Sequence, residues 1–465
     1  MGLKLLGHDN SDVVFENNDQ KKVEKFVGIE IYSTSPIKGI GGVYKHNFRD
    51  FIVKEIISTG QILDIKEDYS PPLFSENSKN RFTSFNLVKV NKSTFEAIRE
   101  VTRALKINLD SIHYSGLKDK RSISVQKASI GGDYIDQLSR LKFRDLFIRN
   151  IHPSKKSVKL GSHSGNNFVI TIRNIENTSN LEEDIKKMVK NIVKNGIPNY
   201  FGLQRFGSLR PNSHLMGLHL LTEDYQRAYE EFVTKTYSTE SPKARNARNK
   251  LKMNNDFEKA IEYFPKSLNY EKTIIYFLKD NPGDYKGAIN KLPTKLKMLL
   301  ISSFQSHIFN KLVSLRFKKG FSLTKPVKGD TICILDEQNG NRTQVKYVYG
   351  DLYDKYLDEA IELNRGVIIA PLVGINANLE GFPLMKTLFD EIIQRESFDI
   401  SIFKSELFEK YKLRGSFRPI SMKPSGLKII ELTKDELHAD KMKLIVEFSL
   451  VRGSYATMIL RELMK

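Results

Sequence analysis

Apolar and polar positions alternate along most of the chain in patterns that bury one face, and the exceptions are as informative as the rule. Residues 1–25 are polar and charged with little periodicity, so a loosely ordered lead-in is expected before the apolar segment at 26–32. A second polar stretch, 66–79, contains Pro71 and Pro72 and reads as a loop; the run at 82–90 reads as a strand. Ser93 followed by Glu96 forms a capping box, and Phe95, Ile98, Val101 and Leu105 continue it as a helix. A second helix is expected at 181–195, capped by Asn180, with Ile185, Met188, Val189 and Ile192 on one face and Gly196 and Pro198 as stops. Between 240 and 252 the composition turns to Ser, Pro, Asn and five basic residues, which reads as an exposed basic loop or a domain seam. Asn339-Gly340 separates two β-rich runs and marks a hairpin. No repeat of fixed period stands out. Strands followed by helices argue an α/β or α+β fold.

Composition adds a partner. At 465 residues the chain has length for roughly three domains, and its 40% apolar content, with 28 Phe and 19 Tyr, supplies their cores. Lys and Arg exceed Asp and Glu by 74 to 55, and a net charge of +19 makes a polyanion such as nucleic acid the first candidate. The single cysteine, Cys333, lies between Ile332 and Ile334 and reads as a buried strand position, so a reducing, cytoplasmic setting is expected. The start of the chain shows neither an apolar signal region nor a myristoylation pattern, and the longest apolar stretch, 366–375, is far short of the roughly 20 residues a spanning helix needs. No membrane contact is expected.

Several chemistries lack their residues. Gly39, Gly41 and Gly42 are not followed by the Lys-Ser/Thr of a phosphate loop and read as a turn; His163 stands where a nucleophile elbow needs Ser. His214 and His219, five apart, do not share a helix face, so no metal site is expected.

Two segments carry candidate chemistry. Gly116-Leu117-Lys118-Asp119-Lys120-Arg121, with Gln126 further on, sets one carboxylate among three cations, a neighbourhood that favours the charged form and suits a nucleophile or base. The same cations suit a phosphodiester backbone. Residues 197–207 combine Asn199, Gln204, Arg205 and the rings of Tyr200, Phe201 and Phe206 just past a helix, the means by which flipped bases are stacked and hydrogen-bonded. Taken singly, the first also reads as a surface turn and the second as a strand packing its rings into a core.

Together they resemble the TruD family of tRNA pseudouridine synthases, in its archaeal and eukaryotic branch. The family signature Gly-x-Lys-Asp-x-x-Ala-x-Thr-x-Gln appears as Gly116-x-Lys118-Asp119-x-x-Ser122-x-Ser124-x-Gln126, departing only at Ser122 and Ser124. Further matches occur in order: Asp50-Phe51-Ile52-Val53-Lys54-Glu55, Leu160-Gly161 with Gly165-Asn166 and Phe168, residues 198–207, Gln305-Ser306 with Phe309-Asn310, and Gly453-Ser454-Tyr455-Ala456-Thr457 with Leu460-Arg461-Glu462.

The resemblance implies a pseudouridine synthase core with a mixed, largely antiparallel sheet at 26–215 and 413–465, and an inserted family-specific α/β domain at 216–412. It implies isomerisation of uridine, usually uridine 13 of tRNA, by a monomer without a cofactor. It makes Asp119 the catalytic aspartate and Lys45 the basic active-site residue, with Asn199 and Phe201 at the target base and Lys118 and Gln126 as further substrate-site or loop-supporting residues, Asn166 among the latter. The alternative is a non-catalytic RNA-binding protein on the same scaffold, which would be free to lose the carboxylate that this chain keeps.

Overall fold

The structure, a computed structural model, describes residues 20–68, 81–207, 209–337, 340–350, 352–375, 378–396 and 398–465. They group into two compact units. One comprises the described residues up to Tyr32, Pro198–Cys333 and Val345–Ser421; the other comprises Ser33–Ile197, Ile334–Gln344 and Met422–Lys465.

The second unit is built on a nine-stranded sheet. Its strands are β1 (Val43–Tyr44), β2 (Phe51–Ile56), β3 (Phe82–Val90), β4 (Ile112–Tyr114), β5 (Ile123–Gly131), β6 (Leu146–Ser154), β7 (Gly165–Glu176), β8 (Ser425–Lys434) and β9 (Lys441–Val451). They run in the order β8-β9-β7-β2-β5-β3-β6, with β1 beside β7 and β4 beside β5. Only the β2–β5 pair is parallel, Ile52 lying opposite Ile123, so the sheet is mixed and largely antiparallel as expected.

The period of two along a strand decides what meets the core. Phe85 and Leu87 of β3 and Ala128 and Ile130 of β5 share one buried face, and the helix Thr94–Leu105 covers it with Ala97, Ile98 and Val101. That helix opens with the expected capping box, Ser93 accepting from the Glu96 amide and Glu96 from the Ser93 amide. The same face continues past the apolar cluster into Lys89, Ser124 and Gln126, with Leu87 opposite Gln126 and Lys89 opposite Ser124. All three are fully buried, so this end of the core is polar; neighbouring groups satisfy Lys89 and Gln126, while the Ser124 hydroxyl makes no hydrogen bond among the described residues.

The first unit is mostly helical. Its longest element, the helix Thr294–Lys318, is buried along much of its length. Two strands, Gly366–Leu372 and Ser416–Pro419, pair antiparallel with Ile369 opposite Pro419. Cys333 is buried in the strand Thr331–Leu335, as expected.

Three expectations change. The basic stretch at 240–252 is no loop: the helix Pro242–Asn254 starts on a Ser241 cap with proline in its first turn. Its buried stripe is Ala244, Ala247, Arg248 and Leu251, a helical spacing hidden by an arginine in a core position. Ordered structure also begins before residue 26, in the helix Gln20–Phe26 with Glu24 buried. Asn180 caps its helix by position and makes no side-chain cap bond. The hairpin residue Asn339 lies outside the described residues, as do the first 19 residues of the lead-in and most of the 66–79 loop; the runs flanking the hairpin are the strands Thr331–Leu335 and Arg342–Val348.

Candidate active site

The loop 115–122 leaves β4 and enters β5 across the polar end of the core. Much of it is tied down by hydrogen bonds. The carbonyl of Ser115 accepts from the Gly161 amide at 2.6 Å and faces Nδ1 of His163 at 3.2 Å. A Cβ at Gly116 would come within 3.1 Å of the His163 ring, so a larger residue there would oblige the ring to shift by a few tenths of an ångström. The Gly116 carbonyl accepts from Nε2 of Gln126 at 2.8 Å. The Thr94 hydroxyl donates to Oε1 of Gln126 at 3.1 Å and accepts from the Lys118 amide at 3.0 Å. The Lys118 ammonium meets Glu55 of β2 at 2.7 Å, both side chains nearly or wholly out of solvent. Glu55 also accepts from the Ser115 hydroxyl and, at 3.0 Å, from the Lys127 amide.

Asp119 is anchored by its backbone and presented by its side chain. Its carbonyl accepts from Nζ of Lys89 at 2.6 Å and from the Ser122 hydroxyl at 2.7 Å. Its Oδ2 accepts from Nζ of Lys45 at 2.6 Å, and the carboxylate keeps 44% of its side-chain surface accessible. Lys45 reaches it from a left-handed backbone position, φ 56°, with its ammonium 4.0 Å over the ring of Phe51. Arg121 donates to the His46 carbonyl at 2.5 Å, tying the loop to the residue after Lys45. The charges around the loop are tuned. Burial pushes the Lys89 ammonium down to about 8, against the pull of Asp119. The hydrogen bond from Lys120 holds Glu96 down at about 2, and burial lowers His163. The result is an accessible carboxylate on a hydrogen-bonded backbone with cations on several sides. Among the described residues no group of three or more His, Cys, Asp or Glu could hold a metal ion, and no helix is long and apolar enough to cross a membrane.

Asn199 and Phe201 lie in the other unit. Asn199 is buried, donates from Nδ2 to the Pro419 carbonyl at 3.0 Å, and accepts at Oδ1 from Nη2 of Arg418 at 2.7 Å. Arg418 also donates from Nε to the Asn199 carbonyl at 3.0 Å. Its guanidinium carbon lies 4.3 Å from the centroid of the Phe201 ring, whose edge-to-face partner is Phe309 at 5.5 Å. Asn310 brackets the Phe201 backbone, its Oδ1 accepting from the amide at 2.9 Å and its Nδ2 donating to the carbonyl at 3.0 Å. Phe206, by contrast, is wholly buried.

Of the residues expected at the site, Lys45 and Asp119 meet directly. Lys118 and Gln126 are buried beneath them, their polar groups spent on Glu55, Gly116 and Thr94, so they shape the loop. Asn199 orients Arg418, and Asn166 sits on β7 opposite Glu55. Sequence reasoning missed Lys89 and Arg418. A lysine two residues beyond Leu87 on an apolar strand face was the available signal for Lys89; nothing local marks Arg418. Ser122, a departure from the family signature, supplies a hydroxyl to the Asp119 carbonyl that alanine lacks.

The protein is thus of the mixed α/β class, with a mixed sheet whose loops present an accessible aspartate carrying a lysine on its carboxylate. The particular family follows from comparison. The model of tRNA pseudouridine synthase D (TruD) matches residues 26–463, and the chain belongs to this family. It is 31% identical to the "Probable tRNA pseudouridine synthase D" of Methanococcoides burtonii, over 96% of this chain and 98% of that one. The Methanosarcina mazei protein of the same description is 30% identical over the same shares of the two chains. A crystal structure of a TruD protein from Methanosarcina mazei superposes with a TM-score of 0.79 at 30% identity, covering 95% of this chain and 98% of that one.

Proposed function

We propose that this protein isomerises uridine to pseudouridine in tRNA, with uridine 13 as the target and Asp119 as the catalytic carboxylate. The observation that carries the reading is the presentation of Asp119: its backbone carbonyl is held by Lys89 and Ser122 while its carboxylate, paired with Lys45, stays open to a substrate.

The reaction breaks the bond from N1 of uracil to C1′, turns the base, and joins C5 to C1′, with C5 giving up its proton and N1 taking one up. Nothing is oxidised or hydrolysed, so the balance requires no cofactor. An ionised carboxylate serves it as a nucleophile at C1′ or as a base toward a sugar proton, and it stabilises the positive charge that develops on the sugar. Lys45 holds the carboxylate in one orientation and presents a cation to the phosphate backbone. The nucleotide must leave its stack, at a cost of about a few kcal/mol that stacking and backbone contacts offset. The family resemblance assigns Phe201 to the target base, and an aromatic ring flanked by a guanidinium is of the kind that stacks on one; the protein acts as a cytoplasmic monomer.

The test is to map pseudouridine at single-nucleotide resolution in tRNA from cells with and without the gene. Loss of the modification at position 13 alone is the expected result. Loss at another tRNA position would refute the target assignment, and an unchanged map would favour a protein that binds RNA without modifying it.

A further inference from the structure

Beside the Asp119 loop lies an open cleft of about 580 Å³ that none of the chemistry above uses. Its lining is partly apolar: Ile98 and Ile112 are buried, while Phe95 is 53% exposed and Leu160 is 76% exposed. Apolar groups left in water within a concavity mark a surface that awaits a ligand. The rings of Phe95 and Tyr114 meet edge to face, 6.4 Å apart. Lys159 lines the cleft, and Lys155 and Lys156 are exposed on the same turn, against the single carboxylate of Asp110.

The walls are continuous with the catalytic loop. Phe95 lies between Thr94, which holds the Lys118 amide, and Glu96, which pairs with Lys120 at 2.7 Å. Tyr114 precedes Ser115, and Leu160 precedes Gly161, whose amide donates to the Ser115 carbonyl. Three lining residues are thus chain neighbours of groups that fix the loop.

We propose that this cleft takes an unstacked nucleobase of the RNA substrate, from a nucleotide flanking the target uridine. The inference rests on the pseudouridine synthase reading. Taking the uridine out of its stack strips its neighbours of a stacking partner. An aromatic and aliphatic wall replaces that partner without reading base identity, and the lysines meet the adjoining phosphates.

Phe95 is largely exposed, so Phe95→Ala should fold as the wild type does, with a thermal melt as the check. KM and kcat are measured for wild type, Phe95→Ala and Phe95→Tyr on a tRNA transcript. In parallel, fluorescence is followed on binding transcripts that carry 2-aminopurine on the 5′ or the 3′ side of the target. Phe95→Ala should raise KM about tenfold, the order expected for one lost stacking contact, with most of the loss in KM rather than kcat. Phe95→Tyr should restore it, and the wild-type fluorescence change on one side of the target should disappear in Phe95→Ala. A Phe95→Ala enzyme with KM within about twofold of wild type and the same fluorescence change would overturn the proposal while leaving the synthase reading intact. If the wild type modifies no RNA, the synthase reading fails, and the fluorescence still decides whether a base enters the cleft.

Discussion

Lys89 carries its charge where the fold gives it almost no water. Its folded value near 8 lies below the ordinary 10.5, so between these two values the unfolded chain binds the extra proton. Stability contributed by this site therefore rises with pH across that window and is constant below it. Lys89→Met has no such proton to lose. The unfolding free energy of wild type minus that of Lys89→Met, from denaturant titrations at pH 7, 8.5 and 9.5, should rise on the order of 1–3 kcal/mol. A flat difference would mean that Lys89 is not desolvated as described. At this scale the sequence was legible where a residue type announces its chemistry. Asp119 was singled out by its motif and Lys45 by the family resemblance, and the two side chains meet. The pairing of Lys118 with Glu55, 63 residues apart, was not legible, because partner choice across a sheet depends on strand order and register that no local pattern carries.

Among the elements, the strand Phe82–Val90 and the helices Thr94–Leu105 and Leu181–Asn195 follow directly from spacing and cap residues. The helix Pro242–Asn254 does not, since its stripe is two alanines, one leucine and Arg248. The guanidinium of Arg248 satisfies Glu240 at 2.9 Å and Glu271 at 2.7 Å, and donates to the carbonyls of Phe232 and Val233. Removing it leaves two buried carboxylates short of a partner. Arg248→Met should lower unfolding stability by about 3 kcal/mol, toward the low end for a broken buried pair because Arg210 still approaches both carboxylates. The exposed Lys243→Met on the same helix should change it by less than about 0.5 kcal/mol. Equal effects from the two would contradict the buried arrangement.

For the whole molecule, the expected core at 26–215 differs from the compact units, which part between Ile197 and Pro198. Gly196 and Pro198 marked that place in the sequence as the stop of a helix, and the bounds 26–215 came from the family resemblance. The net charge of +19 bears on capture of the substrate rather than on its conversion. Binding of tRNA should weaken steeply from 50 to 200 mM salt, and to the same degree with or without the Asp119 carboxylate. Asp119→Asn keeps the size of the side chain, and the anchoring bonds to its backbone carbonyl do not involve the carboxylate. It removes the charge on which both possible roles depend. The most direct measurement is therefore to incubate purified wild type and Asp119→Asn with an unmodified tRNA transcript and map pseudouridine by carbodiimide-dependent reverse-transcription stops. The account expects modification by the wild type and background levels from a variant that still binds the transcript; a variant as active as the wild type would contradict it.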